Sequence, residues 1–81
     1  METVNLTQLD SGQEGIIVEL HGGHGFCSRM ESLGIRVGVR IRKISAQLMR
    51  GPVTIQAGST QAAIGFGMAK KIIVQKVKKI R

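Results

Sequence analysis

The stretch Arg29-Met30-Glu31-Ser32-Leu33-Gly34-Ile35-Arg36-Val37-Gly38 restricts this chain more than any other part of it. It reads as the last turns of a helix, a glycine stop and a tight turn into a strand. Met30 and Leu33 stand at i, i+3 spacing and so share one helical face. Gly34 can take the left-handed backbone that ends a helix without a Cβ clash. With Gly34 as the first residue past the cap, Ile35 and Met30 become the apolar pair that accompanies a Schellman stop. Gly38 supplies a second permissive position before the alternating run Val39-Arg40-Ile41-Arg42.

A helix stopped this abruptly needs a compact scaffold to pack on, and the rest of the chain supplies strands. Leu6 and Leu9, followed by the turn cluster Asp10-Ser11-Gly12, are expected to tuck a short segment against the core. Residues 14–20 alternate as a first strand, with Ile16, Val18 and Leu20 on one side and Ile17 and Glu19 on the other. The glycine-rich link His21-Gly22-Gly23-His24-Gly25 leads into a helix over 26–33, which buries Phe26, Met30 and Leu33. No Ser, Thr, Asp or Asn caps its start, so that end should fray.

A second strand covers 39–46, with Val39 and Ile41 inward and Arg40 and Arg42 outward. Lys43 falls where an apolar residue is due, which predicts a β-bulge near Arg42-Lys43. After the turn Arg50-Gly51-Pro52, Val53–Ala57 and 61–66 form a hairpin around Gly58-Ser59-Thr60. Residues 67–71 suit a single 3₁₀ turn, and 72–77 read as a fifth strand. The expected architecture is a single domain over 1–81. It is mainly β: a small five-stranded closed barrel, with one short α-helix after the first strand and a 3₁₀ turn before the last. Closure suits so short a chain because it removes exposed edges.

Composition narrows the chemistry. Of the 81 residues, 42% are hydrophobic but only two are aromatic, Phe26 and Phe66, so the core is aliphatic. Base-stacking recognition of single-stranded nucleic acid is disfavoured for the same reason. Cys27 is the sole cysteine, which excludes an intrachain disulfide. No uninterrupted apolar run approaches the length of a membrane span, and the chain reads as cytosolic. The first 34 residues hold all five acids against one base, a net −4, while the remaining 47 hold eleven bases and no acid, which gives the overall +7. An acid-free basic segment implies an anionic neighbour: the acidic surface of a protein, lipid headgroups or nucleic acid. The plainer reading is a set of bases facing water.

The residues bear on two chemistries. His21, His24, Cys27 and Glu31 are of metal-ligating type, and a helix starting near His24 would place the last three on one side. Against a metal site, His21 stands across two glycines and Cys27 serves equally as a small apolar residue beside Phe26. Nucleophilic catalysis would need an orienting group and an oxyanion site beside Cys27 and His24, and none is evident. No catalytic residue and no cofactor are expected.

The chain resembles the FeoA family. The resemblance rests on Leu6-x-x-Leu9 with Gly12 and Gly15, then Arg29-Met30-x-x-Leu33-Gly34-Ile35-x-x-Gly38, then Gly51-Pro52-Val53, and finally Ile64-x-x-Gly67-Met68-Ala69-x-x-Ile72-x-Val74. The family often has Pro-Gly where Val37-Gly38 stands here, which concerns the rigidity of one turn. The resemblance implies an SH3-like barrel and a non-enzymatic cytoplasmic accessory protein of bacterial ferrous-iron uptake. Its implied partner is the membrane iron transporter that carries a cytosolic GTP-binding domain. A similar barrel occurs at the C-terminus of iron-dependent repressors, where it is an interaction module.

The working feature expected from the residues is therefore a surface. Arg40, Arg42, Lys70 and Lys71 are its candidate cations, and Leu48 and Met49 its candidate apolar contacts. Such a surface suits an acidic domain near a membrane, where anionic lipids can add to the attraction. A monomer or weak homodimer is expected. The competing readings are a basic nucleic-acid-binding barrel held by phosphate contacts and a metal-binding interaction domain.

Overall fold

The computed structural model describes residues 2–45 and 50–77. Six strands form one antiparallel sheet: β1 (Thr3–Asn5), β2 (Glu14–Leu20), β3 (Arg40–Ser45), β4 (Val53–Ala57), β5 (Thr60–Ile64) and β6 (Ile72–Lys76), in the order β1-β6-β2-β3-β4-β5. The helix α1 (His24–Ser32) follows β2, and a single α-helical turn, α2 (Phe66–Ala69), precedes β6.

The stop of α1 has the geometry its sequence dictates. Gly34 has φ +82, its N–H donates to the Glu31 carbonyl at 2.9 Å, and the Ile35 N–H reaches back to the Met30 carbonyl at 2.9 Å. These are the two bonds of a Schellman motif. The paired apolar side chains, Met30 and Ile35, are both buried. The other end of α1 begins at Gly23 with no side-chain cap.

Five expectations need correction. The sheet has a sixth strand, β1, pairing antiparallel with β6 from Thr3 opposite Gln75 to Asn5 opposite Ile73. Three residues are too few for an alternation to be read from sequence. The turn before the last strand is α-helical: Ala69 and Lys70 donate to the Gly65 and Phe66 carbonyls, four residues back. A 3₁₀ turn lies instead at Leu6–Gln8, where the Asn5 side chain accepts from the Thr7 N–H and the Gln8 side chain from the Asn5 N–H.

In β2 the inward side belongs to Gly15 and Ile17, and Ile16 is exposed. A bulge between Ile17 and Glu19 then lets Leu20 return to the core. In β3 the bulge comes one residue later than expected, at Ile44, between Lys43 and Ser45. It does not spare Lys43 from burial; Lys43 occupies the inward position itself, at 2% exposure. Finally, the barrel is not closed by a ladder. Among the described residues no strand pairing joins β5 to β1; the turn Leu6–Gln8 and α2 touch across that seam and bury Leu6 and Ala69.

The core is aliphatic throughout. Ile17, Ile41, Val53, Ile55, Ile64, Ile72 and Val74 come from the strands, Met30 and Ile35 from the helix and its stop, and Leu6, Leu9 and Ala69 from the turns. Phe26 and Leu33 only lean against it.

Candidate docking surface

Register decides where the bases go. Glu14 opens β2 directly opposite Arg42, and Ile16 stands opposite Arg40. All three charged side chains therefore emerge on the outer side of the sheet. Glu14 receives the Arg40 Nε at 2.5 Å and the Arg42 Nη2 at 2.5 Å, one guanidinium on each carboxylate oxygen. The two hydrogen bonds, Arg42's foremost, hold the Glu14 carboxyl below the usual carboxylate range. Glu14, Arg40, Ile41, Arg42, Gln56 and Gly58 line an open depression there.

Lys43, the next base on β3, points inward. Its ammonium donates to the Leu9 carbonyl at 2.7 Å and the Thr7 carbonyl at 3.3 Å. It thus satisfies carbonyls at the end of the 3₁₀ turn that no helix continues. Its own backbone bonds Gln13 and Gly12, so β3 grips the N-terminal segment from two sides. Burial pushes the ammonium below the usual lysine range, and the charge of Asp10 opposes part of that.

Lys70 and Lys71 stand elsewhere. The Lys71 carbonyl accepts from the His21 N–H at 2.7 Å, just past the last residue of β2. The Arg pair faces the beginning of that strand, so the two groups lie about 16 Å apart along it. The structure brings the four bases together as two pairs. Lys71 Nζ lies 5.5 Å from the centre of the Phe26 ring, and Lys70 Nζ 5.8 Å from that of Phe66. Both are cation–π contacts. Phe26 is held by Gly22, where a Cβ would fall 2.4 Å from the ring. Both lysines are exposed, and among the described residues neither has a carboxylate within ion-pair distance. Leu48 and Met49 lie outside the described residues.

The four metal-type residues are not gathered round one point. His21 pairs with Glu19, and the Cys27 thiol faces the Gly22 carbonyl at 3.7 Å. Among the described residues no group of three or more His, Cys, Asp or Glu is placed to hold a metal ion. No described helix is long and apolar enough to cross a membrane.

Two roles escaped the sequence reading. The sequence shows Glu14 only as the start of a strand; its pairing follows from the β2–β3 register. Lys43 was noticed as a break in the alternation, but the carbonyls it meets lie 34 and 36 residues earlier in the chain.

The fold is a small, mainly β barrel with an SH3-like layout. A family model described as the FeoA domain matches residues 4–76. The chain is 38% identical over 64 residues to a protein of Methanocaldococcus jannaschii named "Putative Fe(2+) transport protein A", an alignment covering 79% of this chain and 76% of that protein. Among solved structures, an iron uptake regulatory protein (FeoA) matches with a TM-score of 0.84 and 31% identity, covering 95% of this chain and all of the other. A manganese-dependent transcriptional repressor shares the fold with a TM-score of 0.86 and 18% identity, over 95% of this chain and 42% of its own. The chain belongs to the FeoA family.

Proposed function

We propose that this chain is a non-enzymatic cytoplasmic accessory protein of ferrous-iron uptake. It docks on the cytosolic parts of a membrane iron transporter that carries a GTP-binding domain, and regulates it. Family membership supports the iron context. The observation that carries the docking reading is the corner where Lys70 and Lys71 stand exposed on phenyl rings, with no described carboxylate to neutralise them. Cations held this way keep their field for an acidic partner surface. An anionic membrane close to the transporter adds roughly 1 kcal/mol per nearby base. The Arg40–Arg42 pair widens the basic region at lower net charge, because Glu14 offsets one of the two.

The test is capture of the transporter from cells with intact membranes, using the wild-type chain and the charge reversal of Arg40, Arg42, Lys70 and Lys71 together. Capture by the wild type and its loss in the reversal is the expected result. Unchanged capture removes the basic surface from the account. A steep salt dependence of binding to duplex or single-stranded probes, without transporter capture, would favour the nucleic-acid reading.

A further inference from the structure

β5 ends the sheet and is hydrogen-bonded to β4 alone among the described residues. The register between them runs unbroken from Val53 opposite Ile64 to Ala57 opposite Thr60, so the edge carries no bulge. Its residues, Thr60-Gln61-Ala62-Ala63-Ile64, include no charge and no proline. Those are the devices that ordinarily keep a sheet edge from pairing. The opposite edge, β1, stops after three residues in the 3₁₀ turn.

Hairpin geometry identifies the outward groups. The loop is Gly58-Ser59, with Gly58 at φ +62, the position where a type II′ turn takes glycine. In a two-residue hairpin the flanking pair, Ala57 and Thr60, exchanges both backbone bonds, and the exchange recurs at every second pair. Ile55–Ala62 and Val53–Ile64 are the next such pairs. Gln61 and Ala63 therefore direct their N–H and C=O groups away from β4, and both residues are exposed.

Charge selects the occupant. The chain has no acid after Glu31. The chain on either side of the hairpin carries two exposed bases, Arg50 before β4 and Lys70 after α2, the latter over Phe66. Two copies paired edge to edge would join two chains of charge +7 through five residues each. That contact falls well short of the roughly 1,200 Å² of a stable interface. An acidic strand meets no acid on β4, β5 or α2. We propose that the outer edge of β5 accepts an extended acidic peptide segment of a partner by strand addition, with Gln61 and Ala63 supplying the backbone bonds. The proposal does not depend on the transporter being that partner.

The test uses the full chain and a labelled, end-blocked peptide of alternating Glu and Val, with a Lys-Val peptide of equal length as control. Saturable binding of the Glu-Val peptide, about tenfold or more tighter than the control, is expected. Amide exchange should slow at Gln61 and Ala63. The double variant Gln61→Pro/Ala63→Pro removes only outward donors, a placement that edge strands tolerate. It should keep its thermal midpoint and bind the peptide about tenfold or more weakly. If it fails to fold, exchange in the wild-type chain decides: slowing confined to Gln61 and Ala63 supports the edge, and its absence overturns it. Equal binding of the Lys-Val peptide, or undiminished binding by the folded variant, also overturns the proposal. Concentration-dependent self-association abolished by the variant would assign the edge to a second copy and overturn it as well.

Discussion

On β3 every base has a partner that holds the fold. Arg40 and Arg42 share Glu14, and Lys43 binds the carbonyls of Thr7 and Leu9. At the corner where β2 ends and α2 gives way to β6, Lys70 and Lys71 rest on phenyl rings and, among the described residues, face no carboxylate. In the sequence both groups belong to one acid-free basic half. In three dimensions the first helps to build the barrel, and the second meets no carboxylate among the described residues. A count of bases therefore overstates what a partner can use, because antiparallel register brings an acid from the other half of the chain onto the first group.

The largest effect should come from the base most committed to the fold. Lys43→Ala removes an aliphatic stem from the core and takes away the ammonium that donates to the carbonyls of Leu9 and Thr7. A stability loss of about 2–4 kcal/mol is expected from urea unfolding. Hydrogen exchange should quicken across residues 5–9, the segment the ammonium holds. Lys43→Met keeps the stem and should lose less. A Lys43→Ala variant as stable as the wild type would break the comparison, since β3 would then hold a base without structural work.

Next in size is the corner. Lys70→Glu/Lys71→Glu should weaken binding to the proposed transporter partner by about ten- to a hundredfold, as expected for reversing two exposed charges on the proposed docking face. The thermal midpoint should hardly move, because neither side chain is buried. Arg40→Glu/Arg42→Glu should show the opposite balance, with a lowered midpoint from three carboxylates brought together and a smaller change in binding. Equal effects of the two double variants on both measurements would show that the two groups are not distinct.

What the sequence disclosed, and what it hid, follows the same division between local and distant causes. The helix stop at Gly34 was legible in full because every participant lies within six consecutive residues, from Met30 to Ile35. The β4–β5 hairpin was legible for the same reason, except that its loop is Gly58-Ser59 alone, Thr60 pairs with Ala57, and Phe66, expected in the strand, opens α2. The phase of β2 was not, because the bulge at Val18 is set by how β6 lies against it, from Ile17 opposite Val74 to Leu20 opposite Ile72. Lys43 showed itself as an anomaly in an alternating strand, yet its explanation lies in carbonyls supplied by the N-terminal segment. Of the candidate surface, the residue types were legible, but their division into two pairs depended on pairings between strands distant in sequence.

The smallest effect is the most direct probe of the Arg pair. The Glu14 carboxyl titrates below its ordinary 4.5 in the folded chain because Arg42 and Arg40 bond its charged form. A depressed carboxylate contributes stability that is fully present above the unfolded-state pKa. That contribution is lost as pH falls through the lower folded value. Stability should thus decline on acidification between about pH 6 and pH 3 more steeply in the wild type than in Glu14→Gln. The two unfolding midpoints should converge at the acidic end. Lys43 does not confuse this measurement. Its depressed pKa gives stability that rises as pH climbs from the folded value toward the ordinary 10.5, and it does so equally in the wild type and in Glu14→Gln. High salt should shrink the difference between wild type and Glu14→Gln, because the guanidinium groups on Glu14 are exposed. A difference that persists unchanged in high salt would mean that Glu14 acts by packing and not by charge, and the division between structural and available bases would then rest on Lys43 alone.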